Sequence, residues 1–175
     1  MMPIFLIGYR CTGKTTTGRL LAKMLNRPFT DTDQVLESSL KTTITKLVED
    51  HGWDYFRQQE TRILLSLDLS DAPVVATGGG IILAEKNRGF LKAKGFSAWL
   101  YADAPTIITR LAADPNTSDS RPDLTSCGLE EETRKMLDHR TPLYEDIAGI
   151  SINTADYSPE EAAILIKRRL DHDRL

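Results

Sequence analysis

The residues Gly8-Tyr9-Arg10-Cys11-Thr12-Gly13-Lys14-Thr15 match the phosphate-loop pattern G-x-x-x-x-G-K-[ST] at every fixed position. Glycines let the backbone curl so that successive N–H groups converge on an anion. The motif follows an apolar run and opens a segment of helical periodicity, so a bound phosphate would face a helix N-terminus. A chance match in a glycine-containing turn would lack this context. We therefore predict that the loop binds the phosphates of a nucleotide, which we take to be ATP.

Within this loop, Lys14 can reach the β and γ phosphates, and the Thr15 hydroxyl can bind Mg²⁺. Cys11 occupies a variable position, and we assign it no catalytic role. The loop residues expected to contact ATP are Gly8, Arg10, Cys11, Thr12, Gly13, Lys14, Thr15 and Thr16. GTPases, motor ATPases and metabolite kinases all use such a loop, so other loops must define the reaction.

Two carboxylates follow a weak apolar run in Phe29-Thr30-Asp31-Thr32-Asp33. Side chains two residues apart can point to opposite sides of an extended segment, so one could serve the metal and the other a second ligand. A solvated acidic turn, or a helix cap at Asp33, is the competing interpretation.

A glycine triplet, Gly78, Gly79 and Gly80, follows the run at residues 74–77. It would allow the backbone to approach a ligand closely, although a tight strand-to-helix turn explains it as well. Further back along the chain, Arg57 and Glu60 lie three apart and share a helix face, so the carboxylate can orient the guanidinium toward an anion. An isolated pair of this kind is usually a surface ion pair of little consequence.

The elements that must position these residues alternate between short apolar runs and helix-period segments. The runs are residues 4–7, 28–30, 74–77, 97–101 and 149–152. This alternation predicts an α/β fold, a three-layer α/β/α sandwich with a five-stranded parallel sheet, in which ligands bind beyond the carboxyl ends of the strands. Ser158-Pro159-Glu160-Glu161 predicts the start of the last helix through a capping box.

One polar segment around residues 114–123 shows neither period. It is either a surface loop or a mobile lid carrying Arg121. We expect one domain spanning residues 1–175, with the lid at about 112–128 inside it.

The composition indicates an ordinary globular protein, with 41% hydrophobic and 27% charged residues and a net charge of −3. This charge does not favour a nucleic-acid or membrane surface, and no run of about 18 apolar residues predicts a membrane span. Cys11 and Cys127 lack metal-ligand or redox spacing. We expect a cytoplasmic monomer with small-molecule substrates.

Taken in order, these motifs resemble the shikimate kinases of aromatic amino-acid (chorismate) biosynthesis, and the resemblance covers essentially the whole chain. It rests on the phosphate loop, Asp31-Thr32-Asp33, Phe56-Arg57-x-x-Glu60, the glycine triplet, Arg121-Pro122 and Arg140-x-x-Leu143-Tyr144. The resemblance implies a P-loop kinase fold with a mobile lid, ATP as co-substrate and Mg²⁺ as cofactor.

The resemblance also implies roles for individual residues. Asp31 would hold Mg²⁺ through water, and Asp33 would contact the hydroxyls of shikimate. Arg57 and Arg140 would grip its carboxylate, with the glycine triplet against the ring. Arg121 would close over the phosphates, while Arg110 and the turn with Asn153 and Thr154 would lie near the adenine. Arg110 could instead be an exposed helix residue.

The expected reaction transfers the γ-phosphoryl group of ATP to the 3-hydroxyl of shikimate, with Lys14, Asp33 and Arg121 as catalytic residues. Another small-metabolite kinase, such as a gluconate kinase, would share the loop and an early acid. A non-catalytic nucleotide-binding module would be expected to lose some of Lys14, Asp33, Arg57 or Arg121, all of which are present.

Overall fold

The computed structural model describes residues 1–113 and 128–172, and its centre is one parallel β-sheet. The five strands are β1 (Ile4–Ile7), β2 (Phe29–Asp31), β3 (Val74–Ala76), β4 (Phe96–Tyr101) and β5 (Ile150–Asn153). They lie in the order β2-β3-β1-β4-β5, and every neighbouring pair is parallel. The predicted sheet is confirmed, with strand ends that differ by about one residue.

Helices cover both faces of this sheet. They are α1 (Lys14–Leu25), α2 (Thr32–Leu40), α3 (Ile44–Ser66), α4 (Glu85–Lys94), α5 (Ala104–Ala113), α6 (Leu129–Glu145) and α7 (Pro159–His172), with a 3₁₀ turn at Ile81–Leu83. Side chains alternate along β1, so Ile4 and Leu6 pack with α1 and α7 while Phe5 and Ile7 face α3, α4 and α6. The predicted three-layer sandwich is therefore present.

The central strands are buried on both faces, whereas β2 at the sheet edge is not. All residues of β1 and β3 are buried, but Phe29 and Thr30 of β2 are only half-buried. This explains why the run at residues 28–30 is weak in the sequence, since an edge strand needs fewer apolar side chains.

Helix α3 contains a break at Gly52, whose φ of 80° is a left-handed conformation that glycine adopts without strain. Beyond the break, Phe56, Glu60 and Leu64 recur every four residues on the buried side of the helix. The sequence therefore places a carboxylate in a stripe that is otherwise apolar.

Helix α7 begins with the predicted capping box. The Ser158 N–H donates to Glu161 Oε2 at 2.8 Å, and the Glu161 N–H donates to Ser158 Oγ at 3.3 Å. Among the helices of residues 1–113 and 128–172, none is long and apolar enough to cross a membrane.

Because all five strands are parallel, their carboxyl ends meet at one edge of the sheet. The phosphate loop follows β1, Asp31 ends β2, and the glycine triplet follows β3. The topology thus brings the three sequence motifs to a common edge.

Candidate active site

The phosphate loop turns tightly between β1 and α1. Gly8 has a φ of 145°, and a Cβ there would overlap the carbonyl oxygen of Leu100 in β4. Gly13 caps α1 with a φ of 82°. Both fixed glycines of the motif are therefore required. At Gly8 a side chain would collide with β4 and strain the backbone, and at Gly13 the positive φ favours glycine.

Lys14 extends back across this loop. Its Nζ donates to the Tyr9 carbonyl oxygen at 2.6 Å, and the buried Thr12 hydroxyl donates to the same oxygen at 2.8 Å. Thr16 lies exposed in the first turn of α1. The amine is thus held within the loop that the sequence predicts to bind phosphate.

The two residues expected to serve a metal lie together. Thr15 Oγ1 donates to Asp31 Oδ2 at 2.8 Å, and the other oxygen of Asp31 accepts from the N–H groups of Asp33 and Gln34 at 3.1 and 3.4 Å. Asp31 is therefore the N-cap of α2, so the competing interpretation that made Asp33 the cap is wrong.

The Asp31 cap fixes a hard oxygen ligand beside a phosphate-loop hydroxyl. Mg²⁺ in nucleotide sites needs only one or two protein ligands, because phosphate oxygens and water supply the rest. In the described ranges there is no group of three or more His, Cys, Asp or Glu that could hold a metal alone. The Thr15–Asp31 pair suits a metal that arrives with a nucleotide.

Arg57 and Glu60 form a partly buried ion pair rather than a surface one. Their Nη1 and Oε2 atoms lie 2.7 Å apart, and the Glu60 side chain is only 2% exposed. Burial raises the pKa of Glu60, while the charges of Arg57 and then Arg140 oppose that rise. The Arg57 guanidinium also packs over the ring of Phe56, with 4.9 Å from its central carbon to the ring centroid. Glu60 and Phe56 together hold the guanidinium in one place.

The glycine triplet lies where these side chains converge. A Cβ at Gly78 would press on Glu60 Oε1 and Asp33 Oδ1, and a Cβ at Gly80 would overlap the Arg57 guanidinium. A Cβ at Gly79 would stand 3.3 Å from the backbone nitrogen of Arg10. The triplet therefore separates the phosphate loop from a cluster of one acidic and one basic group, Asp33 and Arg57, that could hold a second ligand.

Arg140 approaches the same triplet from α6. It is 4% exposed, and its Nη1 donates to the Gly79 carbonyl oxygen at 3.2 Å. Its guanidinium carbon lies 5.4 Å from the centroid of the Tyr9 ring. Burial lowers the pKa of Arg140 and Arg57 lowers it further, while Tyr144, Tyr9 and Glu60 oppose this. Arg57 and Arg140 thus bring two cations to one small region, as an anionic substrate requires.

Arg110 bridges the phosphate loop and the turn after β5. Its Nη1 donates to Thr154 Oγ1 at 2.8 Å and to the Cys11 carbonyl oxygen at 3.3 Å, and its Nη2 donates to the Thr154 carbonyl oxygen at 2.6 Å. It is therefore not simply an exposed helix residue.

Beside Arg110 lies a cleft of about 490 Å³ formed by the phosphate loop and residues 154–159. Asn153 does not line the cleft; its side chain bonds to Asp156 and to the Ala155 N–H, which shapes the turn. A contact between Asn153 and ATP stays a prediction.

Arg10 is held by a buried residue that the sequence interpretation missed. Its Nη2 lies 2.6 Å from Oε1 of Glu132, which is 1% exposed in the first turn of α6. Glu132 stands in an acidic run that resembles a solvated face. However, it precedes Met136, Arg140 and Tyr144 at intervals of four, and that spacing could have indicated one helix face.

Arg121, the remaining catalytic candidate, and Cys127 lie outside the described residues, as does most of the expected lid at 112–128. The role of Arg121 stays a prediction.

Comparison with known proteins agrees with this geometry. The family model described as shikimate kinase matches residues 10–171. The chain is 42% identical over 171 residues to shikimate kinase 2 of Escherichia fergusonii, covering 98% of this chain and 93% of that one. It is 44% identical over 154 residues to shikimate kinase 2 of Shigella dysenteriae, covering 88% and 87%.

Among solved structures, a shikimate kinase from Acinetobacter baumannii in complex with shikimate superposes with a TM-score of 0.92 at 34% identity, covering 100% of this chain and 96% of that one. The family model and the sequence relatives each span well over half of the chain. The chain belongs to the shikimate kinase family.

Proposed function

We propose that this chain transfers the γ-phosphoryl group of MgATP to the 3-hydroxyl of shikimate, yielding ADP and 3-phosphoshikimate. The observation that carries the proposal is the convergence of Asp33, Arg57 and Arg140 on a glycine triplet whose backbone abuts the phosphate loop. Shikimate carries a carboxylate and ring hydroxyls. A site with two cations at one end and a hydroxyl-binding acid at the other is therefore complementary to it.

The carboxylate of shikimate would bind between Arg57 and Arg140. Arg57 is held by Glu60 and Arg140 by the Gly79 carbonyl oxygen, so each guanidinium is oriented before substrate arrives. Pre-orientation reduces the entropy lost on binding. The two guanidinium groups also explain how an acidic protein can capture an anion locally.

Asp33 would accept a hydrogen bond from the attacking hydroxyl. Phosphoryl transfer passes through a loose transition state, so orienting the nucleophile in line with the γ-phosphorus contributes more than strong base catalysis. Asp33 is therefore a positioning group first and a proton acceptor late in the reaction. We expect Asp33→Asn to lower kcat by about 10²-fold or more, and turnover close to that of the unaltered enzyme would exclude both roles.

Lys14 and the N–H groups of the phosphate loop would stabilise charge that develops on the phosphoryl oxygens. The Thr15 hydroxyl and Asp31 would hold Mg²⁺, which would supply further charge neutralisation. The same role is proposed for Arg121. ATP is a cytoplasmic metabolite, so the cytoplasm is the compartment that we propose.

The experiment that tests the function is an ADP-release assay with MgATP and shikimate, gluconate, quinate or no acceptor. We expect saturable turnover with shikimate and little with gluconate or without acceptor. Activity with gluconate alone would favour the rival metabolite kinase, and nucleotide binding without turnover would favour a non-catalytic module.

The carboxylate assignment has its own matched control on α3. Arg57→Met should raise KM for shikimate by about 10²-fold, since it removes a charged hydrogen bond to the substrate. Arg62→Met removes an exposed arginine from the same helix and should leave KM unchanged. Equal effects of the two substitutions would contradict the assignment.

A further inference from the structure

Tyr144 is a fully buried phenol on α6 to which the proposed reaction gives no role. It is 1% exposed, and its ring stacks on that of Trp99 with centroids 5.7 Å apart and an interplanar angle of 15°. Apolar packing alone would be served equally well by phenylalanine. The hydroxyl must therefore be explained by what it contacts.

The Tyr144 hydroxyl donates to the carbonyl oxygen of Gly79 at 2.6 Å, which is shorter than the 3.2 Å bond from Arg140 to the same oxygen. Burial raises the pKa of Tyr144, so the phenol stays protonated and serves as a donor. The Gly79 carbonyl is thus held mainly by tyrosine. Arg140 makes longer bonds here, from Nη1 to this oxygen and from Nη2 to Met136 Sδ at 3.5 Å, which a substrate carboxylate can replace.

Fixing this carbonyl also fixes the N–H at the other end of the same peptide unit. The described residues contain no cis peptide bond, so the Gly79 C=O and the Gly80 N–H point in opposite directions. The carbonyl points to α6, and the Gly80 N–H therefore points away from it. Within residues 1–113 and 128–172, no hydrogen bond from the Gly80 N–H is present.

A peptide flanked by glycines on both sides can rotate at little steric cost, because neither neighbour carries a Cβ. Without an anchor, the Gly79–Gly80 peptide could turn its carbonyl toward the cluster of Asp33 and Arg57. A carbonyl oxygen there would repel the carboxylate of the substrate and compete with it for the Arg57 guanidinium. The anchor must therefore come from outside the triplet.

We propose that Tyr144 is a positioning residue for the acceptor, whose hydroxyl holds the Gly79–Gly80 peptide so that the Gly80 N–H and the Arg140 guanidinium are available to shikimate. This inference rests on the proposed function. It assigns a specific task to the tyrosine of Arg140-x-x-Leu143-Tyr144, which a purely structural core residue would not have.

The test is the substitution Tyr144→Phe, which keeps the ring and its stacking on Trp99. We expect KM for shikimate to rise about tenfold, as loss of one oriented hydrogen bond predicts, while KM for ATP stays within about twofold. Tyr101→Phe is the matched control, because the Tyr101 ring also packs on Trp99, at 4.8 Å between centroids. It should change neither KM.

The possible outcomes distinguish a failure of the Tyr144 role from a failure of the proposed function. Suppose that the unaltered enzyme phosphorylates shikimate. If Tyr144→Phe then leaves KM for shikimate unchanged, or raises KM for shikimate and KM for ATP equally and lowers the Tm, the positioning role is refuted and the function stands. If the unaltered enzyme does not phosphorylate shikimate, both are overturned. A selective rise in KM for shikimate supports the proposal, because a general loss of packing would not spare the nucleotide.

Discussion

Replacing Gly80 by alanine tests how the acceptor site is built. The backbone of Gly80 has φ −101° and ψ 0°, a conformation open to any residue, so the substitution introduces no backbone strain. Its only direct effect is a methyl group in the space of the Arg57 guanidinium. The guanidinium must then move away from its present position, including its 2.7 Å contact with Glu60.

The expected magnitude follows from the role proposed for Arg57. A hydrogen bond to a charged group contributes about 1.5–3 kcal/mol, and in the proposed site displacing Arg57 would remove at least one such bond to the substrate carboxylate. KM for shikimate should therefore rise roughly 10- to 100-fold. KM for ATP should hardly change, because the phosphate loop contacts Gly79 rather than Gly80.

Steady-state ADP release with shikimate varied at saturating ATP measures this effect, and denaturant unfolding checks the fold. Gly89→Ala is the matched control, since Gly89 lies inside α4 and a Cβ there would meet nothing within 4 Å. The control should leave both KM values unchanged and add about 0.5–1 kcal/mol of stability. If Gly80→Ala folds normally and its KM for shikimate stays within about twofold, Arg57 does not grip the substrate from this position.

Three further predictions concern other parts of the molecule. Arg110→Met should raise KM for ATP about tenfold without affecting KM for shikimate, because it removes the bridge to Thr154 beside the cleft where we expect the nucleotide to bind. Equal changes in both KM values would contradict this. Ser158→Ala should lower the free energy of unfolding by about 1 kcal/mol at neutral pH through loss of the α7 cap. The hydrogen bond from the Ser158 N–H lowers the pKa of Glu161. The ionised Glu161 carboxylate therefore contributes to stability at neutral pH, and this contribution is lost as pH falls through the lowered pKa. Urea unfolding across acidic pH would show the loss. Burial raises the pKa of Glu60, so the contribution of Glu60 to stability is complete below its usual pKa of 4.5 and is lost as pH rises through the raised pKa. Glu60→Gln should remove this part of the pH dependence of the free energy of unfolding. An unchanged dependence in the variant would refute the raised pKa of Glu60.

The phosphate loop and the sheet were predictable because each depends on local sequence. The glycines and Lys14 have a motif with a fixed backbone requirement, and buried strands need continuous apolar runs. The role of Asp31 as a cap was not predictable, since Asp31 and Asp33 are equally good capping residues and only the position where α2 begins decides between them.

The contacts of α6 were the least predictable part of the site. Glu132 lies 122 residues from Arg10 in the sequence, and Tyr144 lies 65 residues from Gly79. Neither pairing leaves a local signal, because both depend on how α6 packs against the loops that follow β1 and β3. The acidic run Glu130-Glu131-Glu132 even suggests exposure, although its last member is buried.

The sequence by itself determined the chemistry that is available: a phosphate loop, two early acids, a glycine triplet and three arginines, in an order that predicts the family. Tertiary structure decided which groups are buried and which face one another. The parallel sheet gathers the motifs at one edge, and the glycines of the triplet leave room for Arg57, Glu60 and Asp33 to meet. Burial then raises the pKa of Glu60 and lowers that of Arg140, because it removes both charged groups from water. The extent of this burial depends on all the elements that pack around the two side chains, which the sequence alone does not show.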